Sequence, residues 1–136
     1  MLRTHVVSGD RLFSEIDLAP PQDLILLHLQ EYGPLRQSDI VGFLQRDRST
    51  VSSTLKAMER AGLVRRTPVP ADRRVREVSL TEAGRSLCPA IRRLWAELEE
   101  MAFSHLTPDG RALLVDTLDA SREALVTAMG KRAQAD

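Results

Sequence analysis

Apolar positions along the chain repeat with two different periods, and the change of period divides it. From Gln22 to Tyr32 the residues Ile25, Leu26, Leu29 and Tyr32 keep helical spacing. Pro20 and Pro21 suit the start of that helix, and Gly33-Pro34 its end. A short second helix is predicted over Gln37–Leu44, with Ile40, Val41 and Leu44 inward. A third begins at Asp47, whose carboxylate can cap a helix N-terminus, and runs to Ala61 before Gly62 closes it. Its Val51, Leu55 and Met58 form one apolar stripe. After Gly62 the period shortens. Leu63–Val69 and Val75–Leu80 are rich in β-branched residues and read as the two strands of a hairpin, with Pro70-Ala71-Asp72-Arg73-Arg74 as its tip. Thr81 then caps a long helix whose Leu87, Ile91, Leu94, Leu98 and Met101 advance in alternating steps of four and three, a short heptad seam. Thr107-Pro108 opens a last helix, with Leu114, Leu118, Leu125 and Met129 on one side.

Two helices joined by a short turn and followed by a hairpin describe a winged helix-turn-helix: a mainly α protein with a small β-hairpin wing. At about 100° per residue, Ser49, Ser52, Ser53, Lys56 and Arg60 lie opposite the buried Val51. Small hydroxyls with cations, and no acid among them, suit a helix lying between walls of phosphate. Thr50 adds a further hydroxyl, and Arg46 and Arg48 stand where the helix N-terminus offers free N–H groups to a phosphate. A solvated helix face is the plain alternative, and the ordered pattern as a whole favours DNA. The basic hairpin tip is then in reach of an adjacent minor groove.

Charge changes this picture in one respect. The 136 residues carry 19 Lys+Arg against 19 Asp+Glu, but unevenly. Residues 35–80 hold 10 basic and 5 acidic groups, whereas 1–34 hold 2 and 5, and 81–136 hold 7 and 9. A basic middle between acidic ends fits a local polyanion surface, although such drift also arises by chance. With 43% hydrophobic residues a packed core is expected. No apolar run approaches a membrane span, no signal-peptide layout precedes the first helix, and the lone cysteine cannot form an internal disulfide. A soluble cytoplasmic protein is therefore expected. His5, His28 and His105 are widely separated, so neither a metal site nor a cofactor is expected. No catalytic or nucleotide-binding fingerprint appears, so an enzyme is not expected.

The ordered set Gly33-Pro34-Leu35-Arg36-Gln37-Ser38-Asp39-Ile40, Asp47-Arg48-Ser49-Thr50-Val51-Ser52, Leu63-Val64-Arg65-Arg66, Asp72-Arg73-Arg74 and Val78-Ser79-Leu80-Thr81-Glu82-Ala83-Gly84 resembles the MarR family of bacterial transcription regulators. The resemblance runs from about Leu18 to Leu125. It implies a homodimer on a pseudopalindromic operator, released by a small ligand or by oxidation and most often a repressor. It further implies dimerisation through the first and the last two helices. In the wing, Asp72 and Arg74 match the family's Asp-x-Arg, which implies an arginine in the minor groove held by the aspartate; Arg73 lies between them. On this reading residues 1–19 begin the dimerisation region, 20–80 form the DNA-binding domain and 81–136 supply the C-terminal dimerisation helices. Two positions depart from the pattern. Arg36 replaces the usual threonine cap, at an expected cost of about 1 kcal/mol unless it contacts phosphate. Gln45 stands where glycine is common and is expected to need an unusual backbone angle. Only 19 residues precede Pro21's neighbour Pro20, with Gly9 among them, which argues against a full first helix.

Regulation is where the residues say least. Cys88 on an apolar helical stretch reads first as core, with a redox sensor as the alternative. Pro89 removes a backbone hydrogen bond early in the long helix, and the cleft between that region and the Gln22–Tyr32 helix is the expected ligand pocket. The resemblance suggests a small aromatic anion there, with Arg11 or His28 meeting its charge. A winged-helix module that binds a protein instead of DNA remains the alternative from another class.

Overall fold

In the computed structural model, residues 18–133 are described, and Arg11 therefore lies outside the described residues. The elements are α1 (Gln22–Tyr32), β1 (Leu35–Arg36), α2 (Gln37–Leu44), α3 (Arg48–Arg60), β2 (Val64–Val69), β3 (Asp72–Leu80), α4 (Glu82–Phe103) and α5 (Pro108–Ala133). The chain divides into two compact units, the boundary falling within α4 between Leu98 and Glu99.

In the first unit, local capping chemistry sets the helix ends. Asp47 accepts the main-chain N–H of Thr50 at 2.8 Å and starts α3. Gly62, at φ 73°, ends it, with Gly62 N–H on Glu59 O and Leu63 N–H on Met58 O, the paired closure that a left-handed residue allows. Thr81 caps α4 by accepting Gly84 N–H at 3.1 Å. Gln45 takes the left-handed conformation expected of it, φ 49° and ψ 40°, at the end of α2. Arg36 has no acceptor on its side chain, yet α2 does not start bare: Asp39 reaches back to the Arg36 N–H at 3.1 Å.

Two expectations about the wing are corrected. The sheet has three strands in the order β1-β3-β2, because Leu35 and Arg36 pair antiparallel with Val78 and Glu77. The hairpin tip is also shorter than five residues. Val69 pairs with Asp72, leaving only Pro70 and Ala71 between the strands, with an irregularity at Pro68/Val69 that absorbs the register change. Asp72, Arg73 and Arg74 are thus strand residues.

The core gathers Ile25, Leu26 and Leu29 of α1, Ile40 of α2, Val51, Leu55 and Met58 of α3, Val64 and Val78 of the sheet, and Cys88, Ile91 and Leu94 of α4. Tyr32, placed on the apolar stripe of α1 by its spacing, is 62% exposed. The α4 seam also needs revision. Its first half, with Gly84, Cys88, Ile91 and Leu94 buried, is spent inside this unit and is not free to face a second chain. Gly84 lets α4 approach β2: a Cβ there would run into the Leu63 carbonyl oxygen and lie 3.3 Å from Leu26.

In the second unit Thr107 caps α5 through Gly110 N–H at 3.1 Å, and Arg111 pairs with Glu100 at 2.9 Å. Leu113, Val115, Leu118, Leu125 and Val126 of α5 are all exposed. No described helix is long and apolar enough to cross a membrane.

Candidate nucleic-acid interface

The recognition helix α3 is held from behind by Val51, Leu55 and Met58, each at most 1% exposed. That fixes its outer face. Ser49, Thr50, Ser53, Lys56 and Arg60 are exposed there and Ser52 is half-buried at the edge. Arg36, Arg46 and Arg48 are exposed around the N-termini of α2 and α3. Two hydroxyls come with a constraint. Ser49 Oγ donates to Asp47 at 2.8 Å, and the Thr50 hydroxyl also donates to that carboxylate. Those bonds, with the Thr50 N–H, hold the Asp47 carboxyl far below the usual range. Ser49 and Thr50 therefore present lone pairs outward and must leave Asp47 before they can donate to a phosphate.

On the wing, Asp72, Arg73 and Arg74 are exposed, and Asp72 accepts the Arg74 N–H at 2.9 Å. This bond stiffens the strand beside its tight turn. Inward, Glu59 of α3 binds Arg66 of β2 by a 2.7 Å ion pair, which fixes the recognition helix against the wing.

Arg48 and Arg74 come together across an open cleft of about 200 Å³, lined also by Gln37, Ser38, Val41, Val75 and Arg76. Gln37 and Ser38 belong to the stretch that carries the family resemblance, but neither they nor Arg76 was among the DNA contacts expected from sequence. Arg76 was legible in one way: it shares parity with the buried Val78 on the regularly paired part of β3, so it shares that face.

The ligand candidates fare differently. His28 is half-buried and stacks on Phe43 with centroids 3.8 Å apart, beside Tyr32. Cys88 has no exposed surface, and its Sγ lies 3.5 Å from Gly84 O and 3.8 Å from Leu26 O. Burial pushes its thiol up, outweighing Arg92 and Arg85. The space expected to form a pocket between α1 and the start of α4 is filled by Leu26, Leu29, Cys88 and Ile91. Further along, Trp95 Nε1 donates to Asp23 at 3.0 Å and Arg92 to Gln30 at 3.1 Å, so the two helices are also tied by polar bonds.

A recognition helix with a cationic, acid-free outer face and a basic wing defines a winged-helix DNA-binding protein. The comparisons make the class specific. The MarR family profile matches residues 18–75. The repressor IacR of Pseudomonas putida is 33% identical over 72% of this chain, which spans 59% of that relative's length. A MarR-family regulator from Listeria monocytogenes, solved with a 26-mer DNA, superposes with a TM-score of 0.80 at 26% identity, covering 91% of this chain and 82% of its own. BpsR of Bordetella bronchiseptica, whose DNA binding is regulated by 6-hydroxynicotinic acid, gives 0.81 at 25%, covering 89% and 86%. Residues 18–75 thus carry the MarR-family domain, and the fold is that of MarR-type winged-helix transcriptional regulators.

Proposed function

We propose that this protein is a homodimeric, ligand-responsive repressor that binds a pseudopalindromic operator. The observation that carries the DNA reading is the outer face of α3, where Ser53, Lys56 and Arg60 stand exposed with Arg46 and Arg48 at its start. Lys56 and the arginines contact phosphates, Ser52 and Ser53 meet base edges, and Arg74, stiffened by Asp72, enters the minor groove. Arg36, Ser49, Thr50 and Arg73 complete the surface. Residues 20–80 form the DNA-binding domain, while 1–19 and 81–136 supply the dimer contacts, the latter through α5 and the part of α4 beyond Leu94. The exposed apolar residues of α5 support the dimer, since a second copy would remove them from water. The effector is a small aromatic acid, the class to which the regulator of the similar Bordetella protein belongs. A cytoplasmic location follows from such a role. Cys88 is the less favoured sensor, because its buried thiol is rarely ionised.

The test is fluorescence anisotropy with a random-sequence duplex across a salt series. Binding that contacts six phosphates weakens with a log–log slope of about −5. A protein-recognition module would bind no duplex even at low salt.

A further inference from the structure

We propose that the cleft between the start of α2, the start of α3 and β3 seats a backbone phosphate of bound DNA, with Arg76 as a contact residue beside Arg48. This rests on the DNA-binding reading above and assigns Arg76 a role within it. On β3, Val78 points into the core with no exposed surface. Two residues along the paired strand the same face reaches Arg76, and Arg74 follows in the irregular stretch between Arg76 and the turn, where β3 has no partner on β2; both line the cleft. The strand thus carries two guanidiniums past the edge of the core and over the N-termini of the helices.

The cleft is built for an anion. Its lining holds three arginines, Arg48, Arg74 and Arg76, drawn from a helix start and a strand, and no carboxylate. Gln37 and Ser38 occupy the first turn of α2, where main-chain N–H groups have no partner within the helix. Among the described residues no ion pair engages any of the three arginines. Arg76 feels Glu59 at longer range, but that carboxylate is committed to Arg66 by hydrogen bonds of 2.7 to 3.2 Å. At about 200 Å³ the cleft holds roughly six waters' worth of space, enough for a phosphate group and part of its sugar.

The salt dependence of binding to a random-sequence 30-bp duplex (an arbitrary length of about three turns) separates this role from a general charge effect. Arg76→Gln should lower the magnitude of the slope by about 0.9, one phosphate's worth, and Arg76→Lys should restore it. Arg65→Gln, which removes an equal charge from an exposed position on β2, should leave the slope unchanged. An unchanged slope for folded Arg76→Gln, or equal losses for both Gln variants, overturns the assignment. Thermal unfolding with inorganic phosphate at matched ionic strength covers the other source of the same chemistry. Stabilisation that needs Arg76, with no change in DNA slope, would make the cleft a site for a free anion and contradict the DNA assignment. If wild type bound no duplex, the DNA reading itself would fall; if it bound and only the Arg76 prediction failed, that reading would stand.

Discussion

Glu59, in the last turn of α3, takes three hydrogen bonds from Arg66 of β2: the main-chain N–H at 3.2 Å, Nε at 2.9 Å and Nη2 at 2.7 Å. The angle between recognition helix and wing thus rests on one half-exposed carboxylate and one largely covered guanidinium. Glu59→Gln keeps an acceptor but loses the charge, and should cost about 1 kcal/mol in urea unfolding. The hydrogen bond from Arg66 holds the Glu59 carboxyl below its ordinary value of 4.5. Its contribution is therefore present above that value and lost as pH falls toward the folded-state value. The gap between wild type and variant should narrow below pH 4.5. A gap that stays constant into acid would remove the ion pair from the account.

Gly84 is required by contact, not by backbone angle. The atom that an added Cβ would meet is the Leu63 carbonyl oxygen, which accepts the Thr81 N–H at 3.1 Å and cannot swing aside without breaking that main-chain bond. Gly84→Ala should cost about 3 kcal/mol, at the upper end for overpacking, and circular dichroism melts would report it. A melting point within a degree or so of wild type would mean that α4 and β2 can part freely.

Asp23 behaves in the opposite sense to Glu59. It is 4% exposed; Oδ2 accepts from Trp95 Nε1, while Oδ1 is buried and has no hydrogen-bond partner among the described residues. Burial raises its carboxyl above the ordinary 3.8, against the opposing pull of the Leu24 N–H and Trp95. The folded state then binds the proton more readily than the unfolded one, so stability falls as pH rises above 3.8. Asp23→Asn keeps an acceptor for Trp95 without the charge. Relative to wild type, its melting point should rise progressively as pH increases above 3.8. A difference independent of pH would mean the carboxylate is adequately solvated.

The two units separate folding from assembly. Leu94 is 9% exposed within the first unit, so Leu94→Glu should unfold it, at a cost of several kcal/mol for a buried charge. Leu118 and Leu125 are 58% and 64% exposed. Leu118→Glu should retain wild-type helicity yet run as a monomer in light scattering and lose tight DNA binding. A dimeric Leu118→Glu variant would move the interface off this face.

Much of this architecture was legible because its signals are local. Asp47, Gly62 and Thr81 act on N–H and C=O groups within a few residues, so the helix ends followed from residue type alone. The two-residue strand β1 was not legible: Leu35 and Arg36 gain strand character only from Val78 and Glu77, more than 40 positions away. The same distance hid Trp95–Asp23, separated by 72 positions. Heptad spacing misled in α4 because a stripe with steps of four and three packs equally well against its own domain or a second chain. For the interface, residue type located the arginines, but only strand parity fixed by the buried Val78 brings Arg76 to the cleft.

The central claim is that two copies of α3, related by a two-fold axis, read DNA together. Selection of bound duplexes from a random pool by the full chain tests it most directly. Recognition helices that enter successive major grooves require an inverted repeat with half-site centres roughly 10 bp apart, enriched at least a thousandfold in affinity, about 4 kcal/mol, over random duplex. Enrichment of a single unrepeated half-site, or of no sequence at all, would contradict it.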